Sequence, residues 1–468
     1  MSRILMVASE ASPFVKTGGL GDVLGSLPAA LAARGEDVAV VLPRYRTAHV
    51  LPSERVRHAM PVALGPHRFS IDVDLVMHRG VRYFFLDCPP LYDRAGIYNE
   101  GGWDYRDNHI RFGLLNRGAI EIARNIFRPD VLHAHDWPAG LAPLFLRAAL
   151  AGDPTFFGIR CGLTIHNLGY QGNFPAGAMF DLGLDPALYH SEGLEFYGRM
   201  SFLKAGVVWA DWINTVSPTY AREIQTPEFG FGFEGLLRSR AYKLSGILNG
   251  VDYGEWDPRH DPHIPVLYSA EDLSGKARCK LELLDELGLP HRPDRPLVGI
   301  VSRFVHQKGF DLFGEIAAPL AEENIAFAVL GSGEARVEEM FRYFAYLRPD
   351  KFGVSIGYDN GLSHRIEAGS DMFLMPSRYE PSGLSQMYSL RYGTVPIVRA
   401  TGGLDDSVDE ETGFKFHGYA PEAQLEAILN AIGAFEDRLS WQSRMRRGME
   451  KDFSWDVSAA RYQELYRS

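Results

Sequence analysis

Short apolar runs that alternate with amphipathic stretches constrain this chain more than any single motif in it. "RILMVA" (3–8) is followed by the helix-like "DVLGSLPAALAARG" (22–35) and then by "DVAVVLP" (37–43). Later runs include "DVLHAH", "CGLTIH", "DWINTVS" and "KLSGILNG". From Pro296 the rhythm restarts with "LVGIVSR", a helix from Gly309, "IAFAVLG", a long helix, "FGVSIGY", "DMFLMPS" and "TVPIVRA". Strand and helix signals in this order specify an α/β fold with parallel sheets. Each run of the second series leads into a polar or glycine-containing loop, at the strand carboxyl ends where open α/β sheets bind ligands. At 468 residues the chain exceeds one ordinary core, so about two or three domains are expected.

A small internal echo agrees with two similar halves. "TGGL" occurs at 17–20 and again at 401–404, each time after an apolar run and before a helix-like segment. The turn-rich "GILNGVDYG" (246–254) marks the boundary. The expected division is a first domain over 1–245, a second over 246–450, and a C-terminal helix over 451–468 that packs back on the first. There is no low-complexity tract and no solenoid-length repeat.

The formal charge of −11 argues against nucleic acid or an anionic membrane as partner, since both reward a basic surface. A neutral ligand such as a glucan needs no such surface. Cys88, Cys161 and Cys279 are far apart and form no CxxC pair. They read as reduced thiols, neither a disulfide frame nor a zinc site. The first apolar run is too short for a signal peptide, and no stretch reaches the length of a membrane span. The expectation is a cytoplasmic protein.

Several loops carry residues suited to chemistry. "KTGGLGDV" (16–23) puts Lys16 and three glycines, Gly18, Gly19 and Gly21, where a strand hands over to a helix. This reads either as a tight turn or as an anion-binding helix start approached closely by a ligand. Its spacing fits neither standard nucleotide fingerprint. "SRFVHQKG" (302–309) brings Arg303 and Lys308 together in one loop, which suits a leaving diphosphate or a solvated surface. In "SRYEPSGLSQM" (377–387), Glu380 can hold sugar hydroxyls while Gly383 and Leu384 open a helix toward a phosphate; the plainer reading is a helix cap.

"HAHDWPAG" (133–140) places His133 and His135 on one strand face, without further ligands at metal-site spacing. Asp136 and Trp137 read instead as sugar contacts, a carboxylate for hydroxyls and a ring for the apolar sugar face. His166 and Asn167 stand at another strand end. "DVD" (72–74) lies in an alternating run whose two carboxylates are expected to face solvent, so it is rejected as a metal site. "GSGE" (331–334) reads only as a turn.

Taken together, these segments resemble the bacterial glycogen synthases and plant starch synthases. The match spans nearly the whole chain, through "KTGGLGDV", "YRDNHIRF", "HAHDW", "TIHNLGYQG", "GILNGVD", "SRFVHQKG", "GYDNGLSHRI", "PSRYEPSGLSQ" and "TGGLDDSV". The resemblance implies the glycosyltransferase B-type fold, two Rossmann-like domains facing across a deep cleft. It places the ADP-glucose donor on the second domain and the α-1,4-glucan acceptor on the first, with retention at the anomeric carbon.

Carried over residue by residue, Lys16 resembles a donor-binding lysine, and Gly18 and Gly19 let the first domain close over the diphosphate. Arg303 and Lys308 match the pair that neutralises the leaving ADP, and Glu380 the carboxylate near the transferred glucose. Tyr358 matches the ring near adenine. Ser382, Gly383, Leu384, Thr401, Gly402 and Gly403 fall on the donor side, with Gly402 and Gly403 as backbone donors near the phosphates. Asp136 and His166 match residues that grip the glucose. Trp137, Asn167 and Asn249 fall on the acceptor side, Asn249 in a hinge strand. No metal and no resident cofactor is implied, because side chains supply the positive charge.

Three positions depart from the family pattern. Ser382 replaces a common Cys, Tyr379 a common Phe, and Asn360 a common Glu beside the adenine pocket. The rival readings are a retaining transferase using UDP-glucose or another nucleotide sugar, a two-domain sugar-nucleotide epimerase, and a non-catalytic glucan-binding protein. The ordered acceptor-side motifs disfavour the epimerase. The joint presence of Lys16, Arg303, Lys308 and Glu380 disfavours a silent binder.

Overall fold

The computed structural model describes residues 1–48 and 52–467. The chain forms two compact units: residues 1–216, 221–250 and 455–468 make the first, and residues 217–220 and 251–454 the second. The expected break before residue 246 falls at the end of a strand, and the chain leaves the first unit only after Gly250.

The first unit is built on a nine-stranded sheet. In chain order its strands are β1 (Arg3–Val7), β2 (Asp37–Pro43), β3 (Glu54–Leu64), β4 (His67–His78), β5 (Val81–Asp87), β6 (Val131–His135), β7 (Arg160–Ile165), β8 (Trp212–Thr215) and β9 (Leu244–Gly246). The spatial order is β9-β8-β7-β6-β1-β2-β5-β4-β3. From β9 to β5 all pairings are parallel, with Ile4 opposite Val38 on one side and Val131 on the other. Ile4 to Val7 are wholly buried, as expected for a central parallel strand covered on both faces.

The far edge departs from the parallel pattern, because β3, β4 and β5 pair antiparallel. It also corrects the reading of "DVD". Asp74 is buried, accepting from Arg44 Nη1 at 2.7 Å and Arg55 Nε at 2.8 Å, while Asp72 accepts from Arg55 Nη1 at 2.5 Å. Alternation reported the shared face of the two carboxylates but not the arginines that cover it. Both guanidiniums also donate to Asp87, each at 3.0 Å, so the carboxylates here are held in an arginine network.

The last helix, Trp455–Arg467, packs against the first, Gly19–Ala33, through Trp455, Ala459, Tyr462 and Tyr466. Arg34 fixes it by donating to Gln463 Oε1 and Asp456 Oδ1, each at 2.8 Å.

The second unit carries six parallel strands: β10 (Leu297–Phe304), β11 (Ala326–Gly333), β12 (Phe352–Ile356), β13 (Met372–Met375), β14 (Val395–Arg399) and β15 (Phe414–Phe416). Their order is β12-β11-β10-β13-β14-β15. The expected turn at "GSGE" is mostly the end of β11. A Cβ on Gly331 would come within 2.2 Å of Ser302 O, so glycine is needed there for strand approach. Among the described residues no helix is long and apolar enough to cross a membrane.

Candidate active site

In the first unit the carboxyl ends of β1, β6 and β7 gather the polar residues. The loop after β1 is held by Glu10, a buried carboxylate that the motif reading missed. It accepts from the Thr17 amide at 2.5 Å, the Thr17 hydroxyl at 2.8 Å, the Gly18 amide at 3.3 Å and the Tyr98 hydroxyl at 2.5 Å. Its signal was its place directly after the first apolar run, at a strand end.

So anchored, the glycine loop divides its labour. A Cβ on Gly18 or Gly19 would meet nothing within 4 Å, whereas one on Gly21 would lie 2.9 Å from Lys16 Cγ. Gly21 makes room for the Lys16 stem, and Gly18 and Gly19 leave bare backbone facing open space. Lys16 Nζ is 2.5 Å from Asp22 Oδ1, with its side chain about half exposed. Burial raises the Asp22 pKa, and the Lys16 charge opposes that rise.

Asp136, just past β6, holds φ +56° and ψ −173°. A non-glycine residue pays strain on the order of 1–3 kcal/mol for such backbone, and it clusters at functional sites. Its Oδ1 accepts from the His166 amide at 2.7 Å and the Asn167 amide at 3.4 Å. Burial pushes its pKa up to about 7, and those two amides hold it from rising further. Asp136 therefore binds the β6 and β7 ends together through one oxygen.

His166 is buried and bonds His135 Nδ1 through its Nε2 at 3.0 Å; burial lowers its pKa to about 3. His133 and His135 do share a strand face, with ring centroids 4.0 Å apart. Burial, reinforced by neighbouring imidazoles, drives both well below the usual histidine range. His133 is bonded to Tyr466 and Thr164, at 2.8 and 2.7 Å. All three rings are thus neutral near pH 7, and His166 can serve a ligand only as a neutral group.

The half-buried Trp137 ring packs among Phe112, Phe174, Tyr98 and Phe202, the first at 4.8 Å, and against Gly172. The isolated "DW" could not show that four rings converge on it. One acceptor-side expectation needs correction. Asn249 lies beyond β9 in irregular backbone, not in a strand; it is buried, and its Oδ1 has no hydrogen-bond partner among the described residues. Asn167 closes a local turn, its Oδ1 accepting from the Gly169 amide at 2.9 Å.

In the second unit the ends of β10, β13 and β14 converge. Lys308 Nζ donates to Glu380 Oε2 at 2.6 Å, and the Ser377 hydroxyl donates to the same oxygen at 2.9 Å. Glu380 is buried and Arg303 exposed. Arg303, Lys308, Ser377 and Ser385 line one pocket with Phe310 and Leu374. Backbone clips set the two loops: Arg378 N donates to Gln307 O at 2.8 Å, and Gln307 Nε2 donates to Tyr379 O at 3.1 Å. Gly309 sits at φ +74°, where a Cβ would strike Pro376 O at 2.0 Å. Two cations and a carboxylate at converging strand ends can bind an anionic leaving group beside a polyhydroxyl ligand.

The "TGG" segment lies against this loop more tightly than a phosphate cradle requires. Gly403 N donates to Glu380 O at 3.0 Å, so that amide is not a phosphate donor as expected. Thr401 and Gly402 are buried beside it. Ser382 is buried, its Oγ without a partner among the described residues; Gly383 takes φ +66°, and Leu384 precedes the helix Ser385–Arg391. Tyr358 is 85% exposed beyond β12, its hydroxyl 3.3 Å from Asn360 Oδ1, which leaves its ring face open.

Comparison with known proteins agrees with this architecture. Residues 3–239 match the starch synthase catalytic domain, and residues 288–447 match the group 1 glycosyl transferases. A glycogen synthase of Anaeromyxobacter dehalogenans is 49% identical over 100% of this chain and 99% of its own length. One from Myxococcus xanthus is 47% identical over 99% of this chain and 98% of its own. The catalytic domain of starch synthase IV from Arabidopsis thaliana, bound to ADP and acarbose, superposes with a TM-score of 0.90 at 31% identity, covering 100% of this chain and 99% of that one. The sucrose-phosphate synthase of Thermosynechococcus elongatus, at 18% identity and a TM-score of 0.62, shares the fold. Two parallel α/β units with these motifs at their strand ends place the chain in the glycogen and starch synthase family, as a glycosyltransferase of the GT-B fold.

Proposed function

We infer that this enzyme transfers glucose from ADP-glucose to the non-reducing-end 4-OH of an α-1,4-glucan, with retention of configuration. The observation that carries the reading is the Lys308–Glu380 pair beside Arg303 at the ends of β10 and β13. Arg303 and Lys308 line one pocket and supply cations for a departing diphosphate, and the Glu380 carboxylate bonded to Lys308 is available for the sugar. The kinship with glycogen synthases and the ADP and acarbose bound by the Arabidopsis protein support donor and acceptor classes.

The transition state is oxocarbenium-like, with negative charge growing on the departing phosphate. Arg303 and Lys308 stabilise that charge, and Lys16 is assigned to the same diphosphate. Glu380 is assigned to glucose hydroxyls, and Tyr358 to the adenine. Asp136 and neutral His166 hold the sugar, and Trp137, Asn167 and Asn249 belong to the acceptor side. The acceptor hydroxyl attacks from the face the phosphate leaves and gives its proton to that phosphate as the C–O bond breaks, so no residue need act as nucleophile or general base. No metal and no resident cofactor enter this scheme. A cytoplasmic location fits the three cysteines, all buried free thiols.

The test is glycogen elongation measured with ADP-glucose and UDP-glucose side by side. ADP-glucose is expected to be clearly preferred. Equal or reversed preference overturns the donor assignment, and no elongation with either overturns the whole reading.

A further inference from the structure

Two exposed aromatic side chains of the first unit sit on backbone that aromatic residues seldom adopt. Tyr197 and Phe231 both have φ +48°, and each is followed by a glycine at positive φ, Gly198 at +77° and Gly232 at +87°. Tyr197–Gly198 connects the short antiparallel strands Glu195–Phe196 and Arg199–Ser201. The first place of such a two-residue turn belongs to Asn, Asp or Gly. A bulky residue there costs on the order of 1–2 kcal/mol.

The two turns touch. A Cβ on Gly232 would lie 2.8 Å from Tyr197 Cε2 and 3.3 Å from its hydroxyl, so the Tyr197 ring rests on the bare backbone of the second turn. The Tyr197 ring also meets the Phe196 ring edge-on, with centroids 4.8 Å apart. Beneath them, Phe196 packs on the wholly buried Phe233, their ring centroids 4.4 Å apart. Tyr197 itself remains 77% exposed and Phe231 42% exposed. Gln171 Nε2 donates to Phe231 O at 2.9 Å. Gln171 ends the segment that begins with His166 and Asn167 and includes Tyr170, a further exposed ring. The paired turns are therefore tied to the acceptor-side loop.

We propose that Tyr197 and Phe231, carried on two adjoining aromatic-glycine turns, form a stacking platform for an α-glucan chain that continues beyond the acceptor end at His166 and Asn167. Sugar rings present apolar C–H faces, which flat uncharged rings match without a basic or acidic surface. The strained turns fix the rings in advance, so little freedom is lost on binding. This inference rests on the functional reading above, and the experiment separates the two.

Tyr197→Asn, Phe231→Asn and their combination remove the rings while installing a residue that accepts left-handed backbone. Thermal midpoints are expected to stay at or above that of the parent. Retardation in glycogen-containing native gels, without donor, is expected to weaken by about ten-fold in the double variant, with a parallel rise in KM for glycogen. The KM for ADP-glucose stays within about two-fold, well below the ten-fold that 1.4 kcal/mol represents. Tyr197→Trp restores affinity relative to Tyr197→Asn. A parent enzyme that is retarded by glycogen and elongates it, with the double variant equally retarded, overturns the platform alone. A parent that neither elongates nor binds glycogen overturns the functional reading, and the platform with it.

Discussion

The two copies of "TGGL" are identical in sequence and opposite in use. At 17–20 the glycines border open space, with nothing within 4 Å of a Cβ on Gly18 or Gly19. At 401–404 they are wedged against protein: a Cβ on Gly402 would meet Glu380 O at 2.0 Å, and one on Gly403 would meet Ser382 O at 1.8 Å. Gly402 also takes φ +46°, while Gly18 is fully extended at φ −164° and ψ −167°. The lysines beside them differ likewise. Lys16 pairs with Asp22 with its side chain 47% exposed; Lys308 pairs with Glu380 with its side chain 17% exposed. The first copy leaves bare backbone facing open space. The second lets one loop press on another and so fixes the carboxylate. A repeated string thus opens a helix in both copies, and its surroundings decide the backbone it takes and whether its glycines stay open or pack.

Breaking the second copy is expected to have the largest effect. Gly403→Ala places a methyl group on the Ser382 backbone, which cannot rotate aside as a flexible side chain can. Overpacking of this kind costs about 3 kcal/mol or more. It must also shift Glu380, whose carbonyl accepts the Gly403 amide. Elongation activity should fall to background with a lowered thermal midpoint. A fully active, equally stable variant would show that this packing is dispensable.

Lys308→Ala comes next. Extra negative charge collects on the departing oxygen in the transition state, so a preorganised cation is worth most there. Loss of one such group costs on the order of 100- to 1,000-fold in kcat. Lys308→Arg should recover only part of this, since a planar fork does not replace a point charge. Removing Lys308 also strips the buried Glu380 of its cation, leaving the Ser377 hydroxyl as its remaining bond, so some loss of stability is expected as well. Glucan affinity without donor should barely move. Near-normal turnover at saturating ADP-glucose would reduce Lys308 to a structural partner of Glu380.

Much of this was legible in the sequence because it depends on local order. Strand-and-helix alternation conveys two parallel sheets, and loops after strands convey where ligands go, so Lys16, Asp136, His166, Arg303, Lys308 and Glu380 could all be placed at strand ends. What stayed hidden depends on distant partners. Glu10 looks unremarkable until Thr17, Gly18 and Tyr98 converge on it. Trp137 reads as a lone ring at a strand end until four aromatic rings pack around it. Asp74 reads as solvent-facing until Arg44 and Arg55, from elsewhere on the sheet, cover it. Gly403 reads as a phosphate donor until Glu380 O accepts its amide. Spacing reports which residues share a face, and it is silent on what the fold brings against that face.

The smallest expected effect is the most discriminating for the first copy. Gly18→Ala adds one methyl where no atom lies within 4 Å, on extended backbone that alanine adopts freely. The fold should therefore tolerate it, with a change in stability within about 0.5 kcal/mol for the missing contacts, or a gain of about 0.4–1 kcal/mol from a less flexible unfolded chain. If the bare backbone exists for close approach of the donor diphosphate, the same methyl should raise the KM for ADP-glucose by about five- to ten-fold, roughly 1–1.4 kcal/mol of lost contact. Gly21→Ala provides the contrast, because its methyl would press on the flexible Lys16 stem at 2.9 Å. That substitution should act by shifting Lys16 and lowering kcat more than it raises KM. Equal, near-parent kinetics for both variants would make the loop at 16–23 a plain strand-to-helix turn, and the contrast between the two copies would then be one of packing alone.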